Sequence, residues 1–314
     1  GEKNVKIEKV LINGKEVFPE IRKIERKARN YFILSYSFSH PLLQGKYKVL
    51  KVITNKGTVL TSFRVIKPYF PVGMVVGPKL EEEFKDCKEH LINSFYYGGL
   101  PRTTPRYGSK PIPYEYYRKY NFKLLDDAWW QKDLIEEYKL DPIILAWSIA
   151  DEPECHNCSP MGLVEGINKY YKKHDMINPI SHVYCIWPGY PAQEYNFVDI
   201  VLQDVYPIPG AHPIVIEESM EECWRASRPK PVWFVGQSFG WTRLPTPDEL
   251  RLMVYEAIAY HAKGIFYFMY GHKSEPCYGV GIRMETLKEL YPCLLYTSDA
   301  ADEGLGVDLG GRRI

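Results

Sequence analysis

Side chains able to move protons gather in a few short stretches of this 314-residue chain. The densest is Asp151-Glu152-Pro153-Glu154, which follows Ala146-Trp-Ser-Ile-Ala150. Two carboxyls held close together can divide the acid and base roles, because each environment pushes its pKa in its own direction. Counting by two along a strand puts Ala146, Ser148 and Ala150 on one side with Glu152, and Trp147 and Ile149 on the other. On its own the four-residue run equally reads as a solvated loop with acids at a helix start. Asp204 and Tyr206, in Val201-Leu-Gln-Asp-Val-Tyr-Pro207, share parity, and a Tyr hydroxyl there can hydrogen-bond a substrate carbonyl. That segment also reads as a strand-end turn closed by Tyr-Pro. Asp126 and Asp127 add a further acidic pair, and Gln237 ends the apolar run Pro231-Val-Trp-Phe-Val-Gly.

Other chemistry is thinner. Cys155-His-Asn-Cys158 has the spacing of half a zinc site, but a structural site needs four ligands and no second C-x-x-C or H-x3-H accompanies it. Cys87, Cys185, Cys223 and Cys277 are scattered, so no metal is expected. Gly236-Gln-Ser-Phe-Gly240 has its Ser one place late for G-x-S-x-G. Met74-Val-Val-Gly77-Pro78 is not G-x-G-x-x-G, so no dinucleotide site and no cofactor is expected. Trp129, Trp130, Trp187 and Trp241 lie on expected loops, where an aromatic face either stacks on a pyranose ring or packs the loop.

The elements that must position these residues follow a regular rhythm. Residues 1–68 read as strands: Val5–Ile12 with an Asn13-Gly14 turn, Tyr47–Thr54, then Asn55-Lys-Gly57 and Thr58–Val65. This predicts a small all-β sandwich, cut at its start. Strands are then expected near 71–76, 92–97, 122–126, 144–150, 180–186, 199–204, 231–236 and 264–269. Helical patterns fill most of the gaps: Leu80–His90, Gln131–Lys139, Met161–His174, Pro213–Arg225 and Pro247–Ala262. The last opens Thr246-Pro247-Asp248-Glu249, with an N-cap residue, Pro at the first helical position and acids in the first turn. Eight strands alternating with helices predict an α/β fold, a (β/α)8 TIM barrel over 69–292 whose last helix is truncated; an open doubly wound sheet is the alternative. In such a barrel function sits beyond the strand C-termini, where Glu152, Asp204 and Gln237 fall.

Residues 293–303, Cys-Leu-Leu-Tyr-Thr-Ser-Asp-Ala-Ala-Asp-Glu, resemble the translation of a sequencing-library adapter, and 304–314 have no apolar periodicity. The segment 293–314 is expected to be a non-native tail making few contacts with the barrel; a natural disordered tail is the alternative.

Composition narrows the partners. Lys plus Arg number 40 against 39 Asp plus Glu, so nothing in the net charge favours nucleic acid or an anionic membrane surface. The longest apolar run, Ile265–Tyr270, is far short of the roughly 20 residues a spanning helix needs. With 25 Tyr, 13 Phe and 7 Trp the chain has ample material for a core, which excludes intrinsic disorder.

The strand-four ending, Asp151-Glu152-Pro153, resembles the Asn-Glu-Pro or Asp-Glu-Pro of the large clan of barrel glycoside hydrolases. The resemblance spans about residues 71–292 and is strongest at strands four, six and seven. It implies that Glu152 protonates the leaving glycosidic oxygen and that Asp151 holds the position-2 substituent of the sugar. It also implies an oligo- or polysaccharide substrate and an aromatic sugar platform at the end of strand eight, where Tyr270 and His272 share parity. One departure is sharp: the clan's strand-seven nucleophile is Glu, whereas this chain has Gln237, and an amide cannot form a glycosyl ester. Three readings follow. The sugar's own 2-acetamido group could attack, as in barrel N-acetylhexosaminidases, which carry the same adjacent acid pair and an N-terminal β-domain. Asp204, or Asp126 or Asp127, could replace the missing carboxylate. Or the barrel binds glycans without cleaving them, with Gln237, Tyr206 and the loop tryptophans as contacts. A metal-dependent hydrolase is disfavoured, because paired His are absent from the strand ends.

Overall fold

The computed structural model describes residues 5–25, 30–39, 47–64, 69–75, 77–78, 80–96, 114–126, 128, 131–153, 161–185, 198–240, 242–270 and 278–279. The chain forms two compact units, Gly1–Lys67 together with Asp175–Asn178, and the remainder.

In the first unit β1 (Ile7–Ile12), β2 (Lys15–Val17), β5 (Tyr47–Thr54) and β6 (Gly57–Arg64) form an antiparallel sheet in the order β2-β1-β5-β6. The turns are those the sequence announces. Asn13 and Gly14 both take positive φ, 48° and 78°, as a two-residue hairpin turn requires. A separate hairpin pairs β3 (Glu20–Glu25) with β4 (Asn30–Ser35). Among the described residues of these strands only Val10 is buried.

The second unit is a closed, all-parallel eight-stranded barrel. Its strands are β7 (Val72–Val75), β8 (Ser94–Tyr96), β9 (Lys123–Asp126), β10 (Ile144–Asp151), β11 (Ile180–Tyr184), β12 (Ile200–Val205), β13 (Val232–Gln237) and β15 (Ala262–Phe268). Closure is direct: Ile265 pairs with Val72, Phe266 with Gly73 and Phe268 with Val75, so the expected eighth strand lies beside the first. Between the strands run α1 (Glu81–Glu89), α2 (Tyr114–Lys119), α3 (Lys132–Tyr138), α4 (Met161–His174), α5 (Val215–Ser227) and α6 (Pro247–Ala259). The short, tyrosine-rich α2 is absent from the sequence reading, because six residues carry too little periodicity to stand out. Two-stranded pairing of β14 (Phe239–Gly240) with β16 (Tyr278–Gly279) completes the strands.

Two apolar clusters show why this sequence closes. One takes residues from all eight barrel strands, among them Val75, Tyr96, Leu125, Ala146, Val183, Leu202, Trp233 and Phe266, and so fills the barrel interior. The other joins outward strand residues such as Met74, Trp147 and Phe234 to helix residues such as Phe84, Val164 and Met253. Trp147 and Ile149 fall in the outer cluster and Ala146 in the inner one, as counting by two requires. The α6 start is fixed by a reciprocal cap: Glu249 N donates to Thr246 Oγ1 at 3.3 Å, and Thr246 N donates to Glu249 Oε2 at 2.7 Å.

Gly73 is required by the interior packing. A Cβ there would lie 2.3 Å from Phe266 Cε1 and 2.9 Å from the Ser94 carbonyl oxygen. Gly73→Ala is therefore expected to destabilise by about 1–3 kcal/mol through overpacking, read as a lower urea midpoint. An unchanged midpoint would show that Phe266 has room to move.

Candidate active site

The C-terminal end of β10 is where the regular strand breaks. Ser148 pairs with Ser181, but the next pairing on β11 is Asp151 with Val183, so one extra residue is inserted between them. Val183 belongs to the interior cluster, and the inserted residue turns Asp151 to the same side. Glu152 N then donates to the Val183 carbonyl oxygen at 3.1 Å. Glu152 itself takes a left-handed backbone, φ 41°. Pro153 favours extended backbone for the residue before it, so the left-handed value comes from the bulge and its pairing, not from the proline. The simple count by two stops at Ser148, and the bulge lets two consecutive acids sit at one strand end, both half-buried.

β12 supplies the facing group. Ile200 and Leu202 point into the barrel, and Asp204 and Tyr206 continue that parity. Asp204 is only 3% exposed. A carboxylate oxygen of Glu152, one of Asp204 and the Sγ of Cys185 all lie within 4.8 Å of one another. Cys185 directly follows β11, so three neighbouring strand ends converge. Burial, and then the Glu152 carboxyl facing it, push the Asp204 carboxyl well above the usual carboxylate range; Asp151 adds to this and Tyr206 opposes it. Burial and the same carboxyls push the Tyr206 hydroxyl up as well. Among the described residues, Asp204 Oδ1 has no hydrogen-bond partner. Two like charges at this separation in a buried site repel, which favours the protonated form of Asp204.

Asp204 therefore shapes stability. As pH rises above the unfolded value near 4, the unfolded chain releases this proton while the native one keeps it. The native state then binds more protons, and stability falls with pH. Asp204→Asn removes that slope. The variant is expected to gain stability over wild type as pH rises from 4 to 7. Urea unfolding at the two pH values measures it; equal effects at both would show that Asp204 titrates normally.

Gln237 ends β13 on the inward side but is completely buried. Its Nε2 donates to the Ile208 carbonyl oxygen at 2.7 Å and to that of Phe239 at 3.1 Å, and its Oε1 accepts from Ile208 N at 2.8 Å. The side chain thus clamps the loop after β12 and has no amide hydrogen left to offer a sugar, a difference from the expected substrate contact. Tyr206 packs edge-on against Phe239, ring centroids 5.1 Å apart, and stacks on Phe268 at 5.8 Å. This aromatic wall borders the carboxyl pair.

Two further expectations are corrected. Tyr270 points away from the mouth: it is buried in the outer cluster, and its hydroxyl donates to Asp86 Oδ2 of α1 at 3.3 Å. Strand alternation stops at Phe268, so parity counted beyond it no longer predicts direction. Asp126 pairs in register with the outward Trp147, which puts it on the helix side of the barrel wall. Trp129, Trp130, Trp187, Trp241, His272, Asp127, the Cys155–Cys158 stretch and 293–314 lie outside the described residues. Cys185 is the site residue that sequence reading passed over, although the rule that picked out Glu152 and Asp204, position just past a barrel strand, applies to it equally.

Several solved structures share the barrel fold of this chain. A β-galactosidase from the psychrophilic Marinomonas ef1 superposes with a TM-score of 0.58 at 12% identity, over 76% of this chain and 61% of that one. The GH2 β-galacturonidase of Eisenbergiella tayi gives 0.54 at 12% identity, over 92% and 66%. An endo-β-1,4-mannanase from Thermotoga petrophila gives 0.51 at 11%, over 73% and 77%. The chain thus spans somewhat less than two thirds of the first two relatives' length. No protein-family model and no curated protein sequence matches the chain.

Proposed function

We propose that this barrel hydrolyses a glycosidic bond, with Glu152 as the proton donor and the substrate's own 2-acetamido group as the nucleophile. The observation that carries the reading is the Glu152–Asp204 pair, with carboxyl oxygens within 4.8 Å at the ends of β10 and β12. Inverting enzymes need about 6.5–9.5 Å between carboxyls to admit a water. Retaining enzymes need about 5–5.5 Å and an ionised, accessible nucleophile. Asp204 is near enough, but its burial disfavours the ionised form a nucleophile needs, so it makes a poor nucleophile. Gln237 cannot serve. That leaves the acetamido oxygen to attack the anomeric carbon as Glu152 protonates the departing oxygen. Water then opens the cyclic intermediate, with Glu152 accepting its proton. Asp151, brought to the same strand end by the bulge, is suited to orient the acetamido N–H. Glu152 is the more exposed member of the pair, the one a glycosidic oxygen can reach.

The clamp made by Gln237 favours a second reading, a glycan-binding barrel without turnover. A panel of aryl glycosides separates the two. Cleavage of 2-acetamido sugars but not of their 2-hydroxy counterparts is the expected result. Efficient turnover of 2-hydroxy sugars would refute substrate assistance, and glycan binding without any cleavage would favour the second reading.

A further inference from the structure

The geometry points to a second ligand for this mouth: we propose that Glu152, Cys185 and Asp204 form a binding site for a borderline-soft divalent cation such as Zn2+. One sulfur and two carboxylate oxygens lie within 4.8 Å of one another. Tetrahedral zinc, with Zn–S near 2.3 Å and Zn–O near 2.0–2.2 Å, sets neighbouring ligand atoms roughly 3.3–3.8 Å apart, so rotations moving each atom by about 1 Å close the set. The ligands come from three adjacent barrel strands, β10, β11 and β12, whose parallel pairing fixes their spacing. Independently, Asp204 is 97% buried, with an Oδ1 that meets no hydrogen-bond donor among the described residues. Such an atom is costly to bury unless a cation or donor satisfies it.

The donor set also selects the ion. A thiolate favours zinc and its neighbours over Mg2+ and Ca2+, which prefer all-oxygen shells. Three protein ligands would leave a fourth position open. Metal and substrate would compete for Glu152. That consequence rests on the hydrolase reading, whereas the binding itself does not.

The test titrates the full chain with Co2+ as a spectroscopic stand-in for Zn2+. One equivalent should bind, give the near-ultraviolet absorption of a Co2+–thiolate bond, and be displaced by Zn2+. Cys185→Ser should remove the absorption, and Glu152→Gln and Asp204→Asn should each weaken binding at least about tenfold. Cys87→Ser and Cys223→Ser, at buried positions elsewhere, should leave it intact. Circular dichroism of each variant guards against misfolding, and Glu152→Gln, at a half-buried position, keeps the test open if the Cys185 variant fails to fold. No thiolate band at millimolar Co2+, or a band that survives Cys185→Ser, overturns the site. A band, with no glycoside cleavage by the metal-free protein, would uphold the metal site and defeat the hydrolase reading; cleavage without a band would do the reverse.

Discussion

Glu152→Gln is expected to lower kcat/KM for an aryl 2-acetamido glycoside by about 10³-fold, within the range of a lost general acid–base group. Glutamine keeps the shape of the side chain but can neither give a proton to the leaving oxygen nor take one from the attacking water. The loss should grow as the leaving group becomes more basic, because a nitrophenolate departs with little protonation and an alkoxide does not. Asp151→Asn should cost less, since an amide still hydrogen-bonds the acetamido group while losing the charge that stabilises the cyclic intermediate. Kinetics on a short series of leaving groups decides the matter. Equal activity of Glu152→Gln and wild type on all of them would remove Glu152 from the reaction.

Gln237→Glu is the substitution that would restore the clan's strand-seven carboxylate in name, and it is expected to damage the protein rather than to create a nucleophile. The wild-type Nε2 faces the carbonyl oxygens of Ile208 and Phe239. An ionised carboxylate would put a buried negative charge against two acceptors, at a cost of about 3–5 kcal/mol. The new group would hold its proton in the native state, so the loss should be small below the unfolded glutamate value near 4.3 and grow as pH rises through it. Urea unfolding at pH 4 and pH 7.5 gives the comparison. A variant as stable as wild type at pH 7.5 that also turned over 2-hydroxy glycosides would show that Gln237 opens onto the substrate after all.

Much of the architecture could be read from the chain because barrel strands and their covering helices impose different periods on apolar residues. Every expected strand from 71 to 269 has a counterpart within two residues at either end. The Thr246 cap with Glu249 three residues later is local chemistry, and local chemistry survives folding. The site was harder to read. Asp204 and Tyr206 follow from parity, because β12 is regular to its end. Glu152 reaches its place through a bulge between Ser148 and Asp151, and bulges are set by how two strands pair, which one strand's sequence does not encode. Tyr270 fails for the related reason that alternation has no meaning past the last paired residue. Gln237 was legible as a departure, but its clamp on Ile208 depends on a loop 29 positions away in sequence.

Position 152 also bears on how this scaffold would respond to selection. A non-glycine residue at φ 41° carries a penalty of about 1–2 kcal/mol, which glycine escapes. Glycine there would also relieve the crowding of two carboxyls over a buried Asp204. Its own cost, extra freedom in the unfolded chain, is about 0.5–1 kcal/mol. Glu152→Gly should therefore be as heat-tolerant as wild type or more so, while having no carboxyl to offer. A library of variants enriched only for thermal survival would drift toward glycine at this position, and one enriched for turnover would hold glutamate. The direction of drift at a single codon would thus report whether the carboxyl at this strand end is kept for chemistry or merely tolerated.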